Sequence, residues 1–449
     1  MKVGQPTAAT IEESPGYGKG GYAVALLTLL YTLTYIDRGL MTLLIEPIKL
    51  DLALSDTQLG FLTGIAFGVF HAVVGLPIAR WADRGNRVTI ASISIGLWAL
   101  TVLAFLWIQN FVQMVAARIA AAVGEAGGMP PTYSLIGDYF PAPAARLRAM
   151  TVYMLAGPLA SLISYMGGGW LNDRIGWRAT FAVMAIPGLV TMLLVAATLK
   201  EPRKAVAVEL AAARTQKSSW SVFREIWAAR SSRHLTLGIV LLYATGFGLA
   251  PWYGAFMVRS HDLSTSVLGI WFGLIFGICG AIGILLGGQV SARFFRDDEA
   301  AQIRLTAFVV ASIVPCFWVF LLIGNATAAL LILIPMTIAG SFFLGPIFSV
   351  FQRVVGGEAR ATSMAIVMLA ANLVGMGAFP QIVGIISDLL HPALGEDSLR
   401  FAMLGVSMVR LWSAYHFLRA APYVRSHFNA AASAAGRARL TPDDGASLP

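Results

Sequence analysis

Four ionisable residues lie inside long apolar segments of this sequence: Asp37 and Arg38 in the first segment, and Arg118 and Glu125 in a later one. Each segment is long enough to cross a bilayer as a helix. A charge at that depth costs several kcal/mol unless it is paired or faces water, so such residues indicate a functional site. We therefore predict that the four residues form the charged part of a transport cavity.

The helical rise places Arg118 at the same depth as Asp37. At about 1.5 Å per residue, both lie roughly 10–12 Å below the outer surface, and Glu125 lies about 10 Å deeper on the same face as Arg118. We expect Arg118 to pair with Asp37 above it or with Glu125 below it. Because a buried carboxylate tends to take up a proton whereas a nearby arginine keeps it ionised, such an arginine would link protonation to conformation. A static ion-pair network between two helices is the competing interpretation.

Arg38 points about 100° away from Asp37 around the helix and extends a polar stripe through Tyr31 and Thr34. We predict that this stripe faces the cavity and that Arg38 binds an anionic head group there. The alternative is that Arg38 is a further partner for Asp37 or for carbonyl groups of a neighbouring helix.

The second half of the chain offers aromatic residues and one isolated charge. Tyr243 and Phe247 are predicted to line the apolar part of the substrate site, although aromatic residues in membrane helices are more often packing or interface anchors. Arg410 falls in the middle of the last apolar segment, too deep to reach the interface easily. For Arg410 we favour a hydrogen bond to a carbonyl group inside the bundle over ligand binding.

The composition is that of a polytopic membrane protein. The 449 residues are 57% hydrophobic and 12% charged, with a mean hydropathy of +0.73, whereas soluble domains carry about 25% charged residues. Cys279 and Cys316 lie in separate apolar segments and form no disulfide framework or metal-ligand pattern. No phosphate-binding loop or nucleophile beside a histidine occurs, so we expect neither an enzyme nor a cofactor or metal.

Apolar runs bounded by charged or turn-forming residues predict an all-α integral membrane protein with twelve transmembrane helices in two six-helix bundles. The predicted domains are an N-terminal segment 1–20, bundles 21–199 and 235–420, a linker 200–234 and a tail 421–449. The predicted spans are 21–45, 57–79, 88–108, 111–135, 147–169, 178–199, 235–257, 266–290, 304–323, 327–350, 361–388 and 399–420.

Loop charges predict the orientation. With the N-terminus inside, the cytoplasmic segments hold 24 of the 32 lysine and arginine residues and the outer loops hold five. This bias predicts that both termini are cytoplasmic in a plasma (inner) membrane protein. It also explains the net charge of +9 without nucleic acid as a partner.

Two six-span halves joined by a basic linker are typical of the major facilitator fold. Between the second and third spans, a turn carries Asp83, Arg84 and Arg87. We predict that these charges bond helix ends across the two halves and hold one state closed. The alternative, that the arginines merely satisfy the positive-inside rule, leaves Asp83 unexplained.

The combination of these motifs resembles the Spinster branch of the major facilitator superfamily in a bacterial form. The resemblance is densest over residues 31–181 and thin in the second half, and Ala79 stands where the superfamily turn usually has its first glycine. The motifs that carry it are Tyr35–Arg38, Ala82–Arg87, Arg118 with Gly124–Ala126, Gly137–Pro141 with Arg146, and Gly176–Arg178 with Phe181.

The resemblance implies a proton-coupled transporter of lysophospholipids or sphingosine-type lipids, and we expect it to act as a monomer. A proton-coupled symporter of a small organic anion is the alternative within transport. An integral membrane transferase would require a sizeable loop domain, which the sequence lacks, and a receptor or scaffold without transport leaves the buried charges unexplained.

The predicted topology can be tested at Ser218 in the linker. In cells that express a Ser218→Cys variant, we expect a membrane-impermeant maleimide added from outside to leave that cysteine unlabelled, because the linker faces the cytoplasm. Labelling of intact cells at this position would contradict the topology.

Overall fold

The computed structural model describes residues 17–202, 218–295, 298–356 and 359–440. Within these ranges all regular structure is helical. The first four spans are built, in order, from Tyr17–Leu52; Asp56–Thr63, Ile65–Val69 and Phe70–Arg84; Arg87–Leu103 and Ala104–Trp107; Phe111–Ala126 and Met129–Tyr139. The fifth and sixth spans are built from Pro143–Met154, Ala156–Leu162, Ile163–Gly167 and Gly168–Thr198, and they divide at Gly176 within the last of these segments.

The helix Ser219–Ala228 precedes the second half. The last six spans are built from Arg230–Leu249 and Trp252–His261; Thr265–Phe272, Gly273–Cys279 and Gly280–Phe294; Glu299–Leu322; Ala326–Phe342 and Leu344–Val354; Arg360–Asn372, Leu373–Ala378 and Phe379–Leu394; Ser398–Ser407 and Val409–Leu440.

Two glycines mark chain reversals inside long helical runs. Gly176 has a φ of 75° and separates the fifth span from the sixth, and Gly395 has a φ of 55° and precedes the twelfth. Glycine adopts this left-handed conformation without the steric penalty of a Cβ. By length and composition, eight helices of the described chain can cross a membrane, or nine if the bent pair 230–261 is one span. Two of these runs, 143–198 and 362–429, each contain a reversal and therefore provide two spans. The fourth span is broken after Ala126 and is not among the nine, so the total agrees with twelve.

Short π-helical segments recur at equivalent places in the two halves. They interrupt the second and fifth spans at Ile65–Val69 and Ile163–Gly167, and the eighth and eleventh at Gly273–Cys279 and Leu373–Ala378. Such segments in α-helices are frequent at functional sites. The same spans pack against each other, the second on the eleventh and the fifth on the eighth.

Glycine permits backbone contact at both of these packing sites. A Cβ at Gly60 of the second span would lie 2.6 Å from the carbonyl oxygen of Pro380, and one at Gly269 of the eighth span would lie 2.2 Å from that of Tyr165. Small residues allow this close approach of membrane helices. Both contacts lie at the end of the bundle away from the linker helix Ser219–Ala228, which we call the opposite face; the other end is the linker face.

A methyl group at Gly269 should therefore push the two halves apart at the opposite face. Because the obstructing atoms are backbone, no rotamer change relieves the clash, and overpacking of this kind costs about 1–3 kcal/mol. In a background without Cys279 and Cys316, we expect Gly269→Ala to lengthen the distance between spin labels at Leu50 and Leu394, measured by pulsed electron paramagnetic resonance.

Gly288 lies in the same span, and a Cβ there would meet no atom within 4 Å, so Gly288→Ala is the matched control. An unchanged distance distribution in Gly269→Ala would show that this contact does not hold the face closed.

Candidate transport site

Two ion pairs connect the first span to the fourth. Arg118 Nη1 lies 2.5 Å from Asp37 Oδ2, and Arg38 Nη2 lies 2.5 Å from Glu125 Oε1, with a further hydrogen bond of 2.8 Å from Arg38 Nε. The side chains of Asp37, Arg118 and Glu125 are 0%, 2% and 6% exposed, whereas that of Arg38 is 22% exposed. The predicted pairing of Arg118 with Asp37 is confirmed, and Glu125 is bound by Arg38 instead of Arg118.

Phe67, in the π segment of the second span, lies between the two arginines. Its ring centroid is 4.6 Å from the guanidinium carbon of Arg118 and 5.2 Å from that of Arg38. Arg118 Nε also donates to the carbonyl oxygen of Leu62 at 3.4 Å. Cations are attracted to aromatic faces, so the π segment contributes to holding both arginines.

Each carboxylate keeps one buried oxygen without a hydrogen-bond donor among the described residues, Oδ1 of Asp37 and Oε2 of Glu125. An ionised carboxylate offers about four acceptor positions, and a protonated one needs fewer donors. These two oxygens are therefore suited to carry a proton.

The pairs border a cavity between the two halves. A central compartment of about 210 Å³ is lined by Arg38 and Arg118 together with Phe247. A second compartment of about 410 Å³ extends from Arg38 and Glu125 to Ser219 of the linker helix. Because Arg38 lines both, the cavity runs from the middle of the bundle towards the linker face.

The predicted stripe on the first span lines this second compartment. Tyr31 and Thr34 both contribute to its wall. The ring of Tyr31 stacks on that of Tyr153 with centroids 5.1 Å apart, and the hydroxyl of Thr34 donates to the carbonyl groups of Leu30 and Tyr31 in its own helix. Thr34 therefore shapes the wall without offering its hydrogen to a ligand.

The predicted aromatic wall is present on the seventh span. Tyr243 and Phe247 have ring centroids 5.0 Å apart and line a third compartment of about 270 Å³ inside the second half. Arg410 lines the same compartment, and its Nε donates to the hydroxyl of Thr245 at 3.1 Å. The predicted acceptor for Arg410 was a carbonyl group, and this prediction is wrong because the acceptor is a hydroxyl.

The turn between the second and third spans was predicted to bond to the other half, but in this conformation the contacts of Arg87 lie within the first half and the linker. Arg87 is fully buried and contacts Ser134 and Asp138, each at 2.7 Å, and Glu201 at the start of the linker. These partners belong to the first half and its linker, so Arg87 ties that half together here. Asp83 and Arg84 are exposed at the end of the second span.

Residues 27–380 match the sequence model of the Major Facilitator Superfamily. The chain belongs to this superfamily. Its members are transporters and not enzymes, as the composition and motifs predict. Among the described residues, no group of three or more His, Cys, Asp or Glu side chains is placed to hold a metal ion.

Individual relatives support the same assignment. An MFS-type efflux pump of Mycolicibacterium smegmatis is 31% identical over 405 residues, 90% of this chain and 93% of the pump. Protein spinster homolog 1 of Homo sapiens is 24% identical over 436 residues, 91% and 82% of the two chains. The crystal structure of a bacterial homolog to the human lysosomal transporter Spinster, inward-facing and unoccupied, aligns with a TM-score of 0.80 and 26% identity over 92% of this chain and 99% of that chain. The predicted relationship to Spinster proteins is confirmed.

In this major facilitator protein, an ionic network that the sequence analysis did not identify closes the opposite face. Arg259 of the seventh span donates to both carboxylate oxygens of Asp56 at 2.8 and 2.7 Å and to Glu46 at 2.8 Å. Lys49 contacts Asp56 at 2.7 Å, and Ser387 donates to it at 2.6 Å. The network joins the first and second spans to the seventh and eleventh.

Each half also caps a helix of the other half. Asp388 at the end of the eleventh span accepts from the backbone N–H groups of Asp56 and Thr57, which begin the second span, at 3.0 and 2.7 Å. Asp173 at the end of the fifth span accepts from Thr265 Oγ1 at 2.5 Å and from the N–H of Ser266 at 3.1 Å, at the start of the eighth span. A carboxylate at a helix N-terminus satisfies unpaired donors and stabilises the helix dipole.

Lys49 and Arg259 are two of the five basic residues that the loop-charge count assigns to the outer loops, and the sequence did not indicate a further role for them. The sequence does contain one signal near this network. Ser55 and Gln58 form a capping box that marks the start of the second span. It places Asp56 in the first turn, but it cannot show which charges of the other half reach it.

Removal of the Arg259 charge should loosen the opposite face of the transporter. The side chains of Arg259 and Asp56 are 6% and 3% exposed, and breaking a buried pair by removing one partner costs about 3–5 kcal/mol. We expect Arg259→Gln to speed amide hydrogen exchange across Asp56–Thr63 by about tenfold or more, read by mass spectrometry.

Arg400 provides the control, because its carboxylate partner is Asp397, three residues away in the same half. Arg400→Gln should leave exchange in Asp56–Thr63 within about twofold of wild type, the range expected of a surface pair. Equal effects of the two substitutions would mean that the cross-half network does not close this face.

Proposed function

We propose that this protein is a proton-coupled secondary transporter that works by alternating access and moves an amphiphilic lipid, such as a lysophospholipid or a sphingosine-type lipid. The observation that carries the proposal is the pair of adjacent buried ion pairs, Asp37 with Arg118 and Arg38 with Glu125, on the wall of the cavity between the halves. Intramembrane charges that border a cavity are typical of ion and substrate pathways.

The lining of the cavity favours an amphiphile. On the first-half side, the compartment that reaches the linker face carries Arg38 and Glu125. On the second-half side it carries Ala365, Ile366 and Leu369, with Thr362 and Asn372 as its polar members. A sugar requires hydrogen-bond partners on most of its surface, whereas a single-chain lipid places a polar head on one wall and a chain on the other. The two-sided lining therefore supports a lipid over a sugar.

The Arg38–Glu125 pair supports proton coupling. Arg38 is the most exposed of the four residues and also contacts Met376 Sδ of the second half at 3.6 Å. An anionic head group that binds Arg38 displaces Glu125, and a buried carboxylate without its cation is more stable with a proton. Binding of the anion and of a proton would then favour each other.

The Asp37–Arg118 pair would provide the second step. When Asp37 is protonated, Arg118 is free to move within the central compartment, where it faces Phe247 of the second half. A ligand shifts the balance of two states only by its differential affinity for them. Contacts from Arg38 and Arg118 to a substrate that also touches the second half would supply that difference.

The orientation and organisation are part of the proposal. We place bundles 21–199 and 235–420, the linker 200–234 and both termini as predicted from the loop charges, in the plasma membrane and with the linker face in the cytoplasm. The open compartment then faces the cytoplasm. Asp83 and Arg84 would bond to the second half in the opposite state, and the transporter would act as a monomer.

The small-anion alternative has one observation in its favour. The central compartment of about 210 Å³ contains both Arg38 and Arg118 and would hold a small carboxylate without a chain. Lipid and carboxylate are distinguished by which of them the purified protein transports.

Flux in proteoliposomes tests the coupling. We expect wild-type protein to move a lysophospholipid faster when a pH gradient is imposed, since protonation of Glu125 accompanies transport. In Glu125→Gln the side chain at position 125 is permanently neutral. Binding of the lipid should therefore be largely retained, while the response of transport to the pH gradient is lost.

Asp37→Asn should impair the response in the same way, and Glu299→Gln, which neutralises a carboxylate paired with Arg353 away from the cavity, should not. Wild-type responses in both Glu125→Gln and Asp37→Asn would mean that the charges are structural and that this mechanism is wrong.

A further inference from the structure

Arg410 is a cation within the membrane bundle that has no carboxylate within 4.0 Å among the described residues. Its described partner is the hydroxyl of Thr245, and that hydroxyl lies within hydrogen-bond distance of the carbonyl groups of Leu241 and Leu242 in its own helix. Arg38 and Arg118, the other arginines deep in the bundle, each have a carboxylate. Arg410 is half-buried, and a hydroxyl does not neutralise a charge inside the membrane, so Arg410 has unused capacity for an anion.

The contact lies next to a bend in the seventh span. Thr245 precedes the break at Ala250, where this span bends by 44°. Arg410 reaches Thr245 from the first turn of Val409–Leu440 in the twelfth span. A broken helix in a transporter indicates a binding site, because the bundle tolerates irregular backbone where it lines a cavity.

Arg410 also lines a cavity suited to an amphiphile. The compartment of about 270 Å³ combines the hydroxyl-bearing residues Tyr253, Thr337 and Ser341 with aromatic and aliphatic side chains. Phe247 and Ala250 line both this compartment and the central one. A chain can therefore extend from Arg410 along Phe247 towards the first half.

A purely structural role would explain less of this arrangement. If Arg410 only joined the twelfth span to the seventh, a neutral donor would serve without the cost of a charge at membrane depth. A guanidinium has five N–H donors, and one of them is used by Thr245. The remaining donors match the oxygens of a phosphate or carboxylate in a two-point contact.

We propose that Arg410, oriented by Thr245, binds the anionic group of the substrate inside the second half, and that the substrate is a single-chain amphiphile with a phosphate or carboxylate head. This inference rests on the proposed function and narrows its substrate class. In this conformation Arg38 and Arg118 are each bound to a carboxylate, so Arg410 is the cation that receives the anion first. Once a proton reaches Glu125, Arg38 is released and the anionic head can move to it.

Binding of three probes to full-length purified protein tests the subsite. The probes are radiolabelled oleoyl lysophosphatidate, monoolein with the same chain and no charge, and sn-glycerol 3-phosphate with the charge and no chain. We expect Arg410→Gln to weaken binding of lysophosphatidate about tenfold or more, the loss of one charge-assisted two-point contact, and to leave monoolein within about twofold. Arg410→Lys should lose less.

The ratio of the lysophosphatidate and monoolein affinities carries the result, because a folding defect lowers both. Thr245→Val keeps the charge and removes its hydrogen bond, so it should lower the ratio less than Arg410→Gln does. Arg304→Gln is the matched control, since it removes an exposed arginine from the same half, and it should leave the ratio unchanged.

The outcomes separate this inference from the proposed function. An unchanged ratio in Arg410→Gln, with both lipids still bound by wild type, overturns the subsite alone. Wild-type protein that binds neither lipid overturns the lipid substrate and the subsite with it. If sn-glycerol 3-phosphate alone binds, and Arg410→Gln abolishes that binding, the anion subsite is supported and the lipid substrate is wrong.

Discussion

The cost of holding charge inside the membrane governs this structure. Asp37 and Arg38 are neighbours on one helix, and each finds the opposite charge on the fourth span, at Arg118 and Glu125. Burying two ions is repaid only when the geometry is close and the remaining polar atoms are satisfied. The two pairs together are neutral, but each carboxylate keeps one oxygen without a described donor. The ion pairs therefore satisfy the charges but leave part of the hydrogen-bonding capacity of each carboxylate unused.

The opposite face is closed by a different device. Asp388 of the second half caps the second span and Asp173 of the first half caps the eighth, so each half supplies the acceptor for a helix of the other. Helix N-terminal donors left without partners would have to find water. Opening this face therefore exchanges several well-formed bonds for solvated ones at both sites together, which favours two discrete states over a continuous range of openings.

The parts that the sequence predicted depend on local information. Twelve spans and the shared depth of Asp37 and Arg118 follow from apolar length and the helical rise. The pairing of Glu125 with Arg38 did not follow, because depth does not determine how the first and fourth helices are rotated against each other. The bond from Arg259 to Asp56 joins residues 203 positions apart, and the π segments at Ile65 and Leu373 carry no motif. Such features arise from packing between the halves and have no local signature.

The two halves therefore contribute different chemistry to one cavity. The first half contains compensated charges whose pairing we propose to change with a proton, and the second contains Arg410, whose charge has no described carboxylate partner. Phe247 and Ala250 border both the central compartment and that of Arg410. A ligand that reaches only one half has the same contacts whether the halves open at the linker face or at the opposite face, and it cannot shift that balance. A ligand with an anionic head at Arg410 and a chain extending towards Arg38 reaches both halves, and its length would determine in which state the two contacts can be made together.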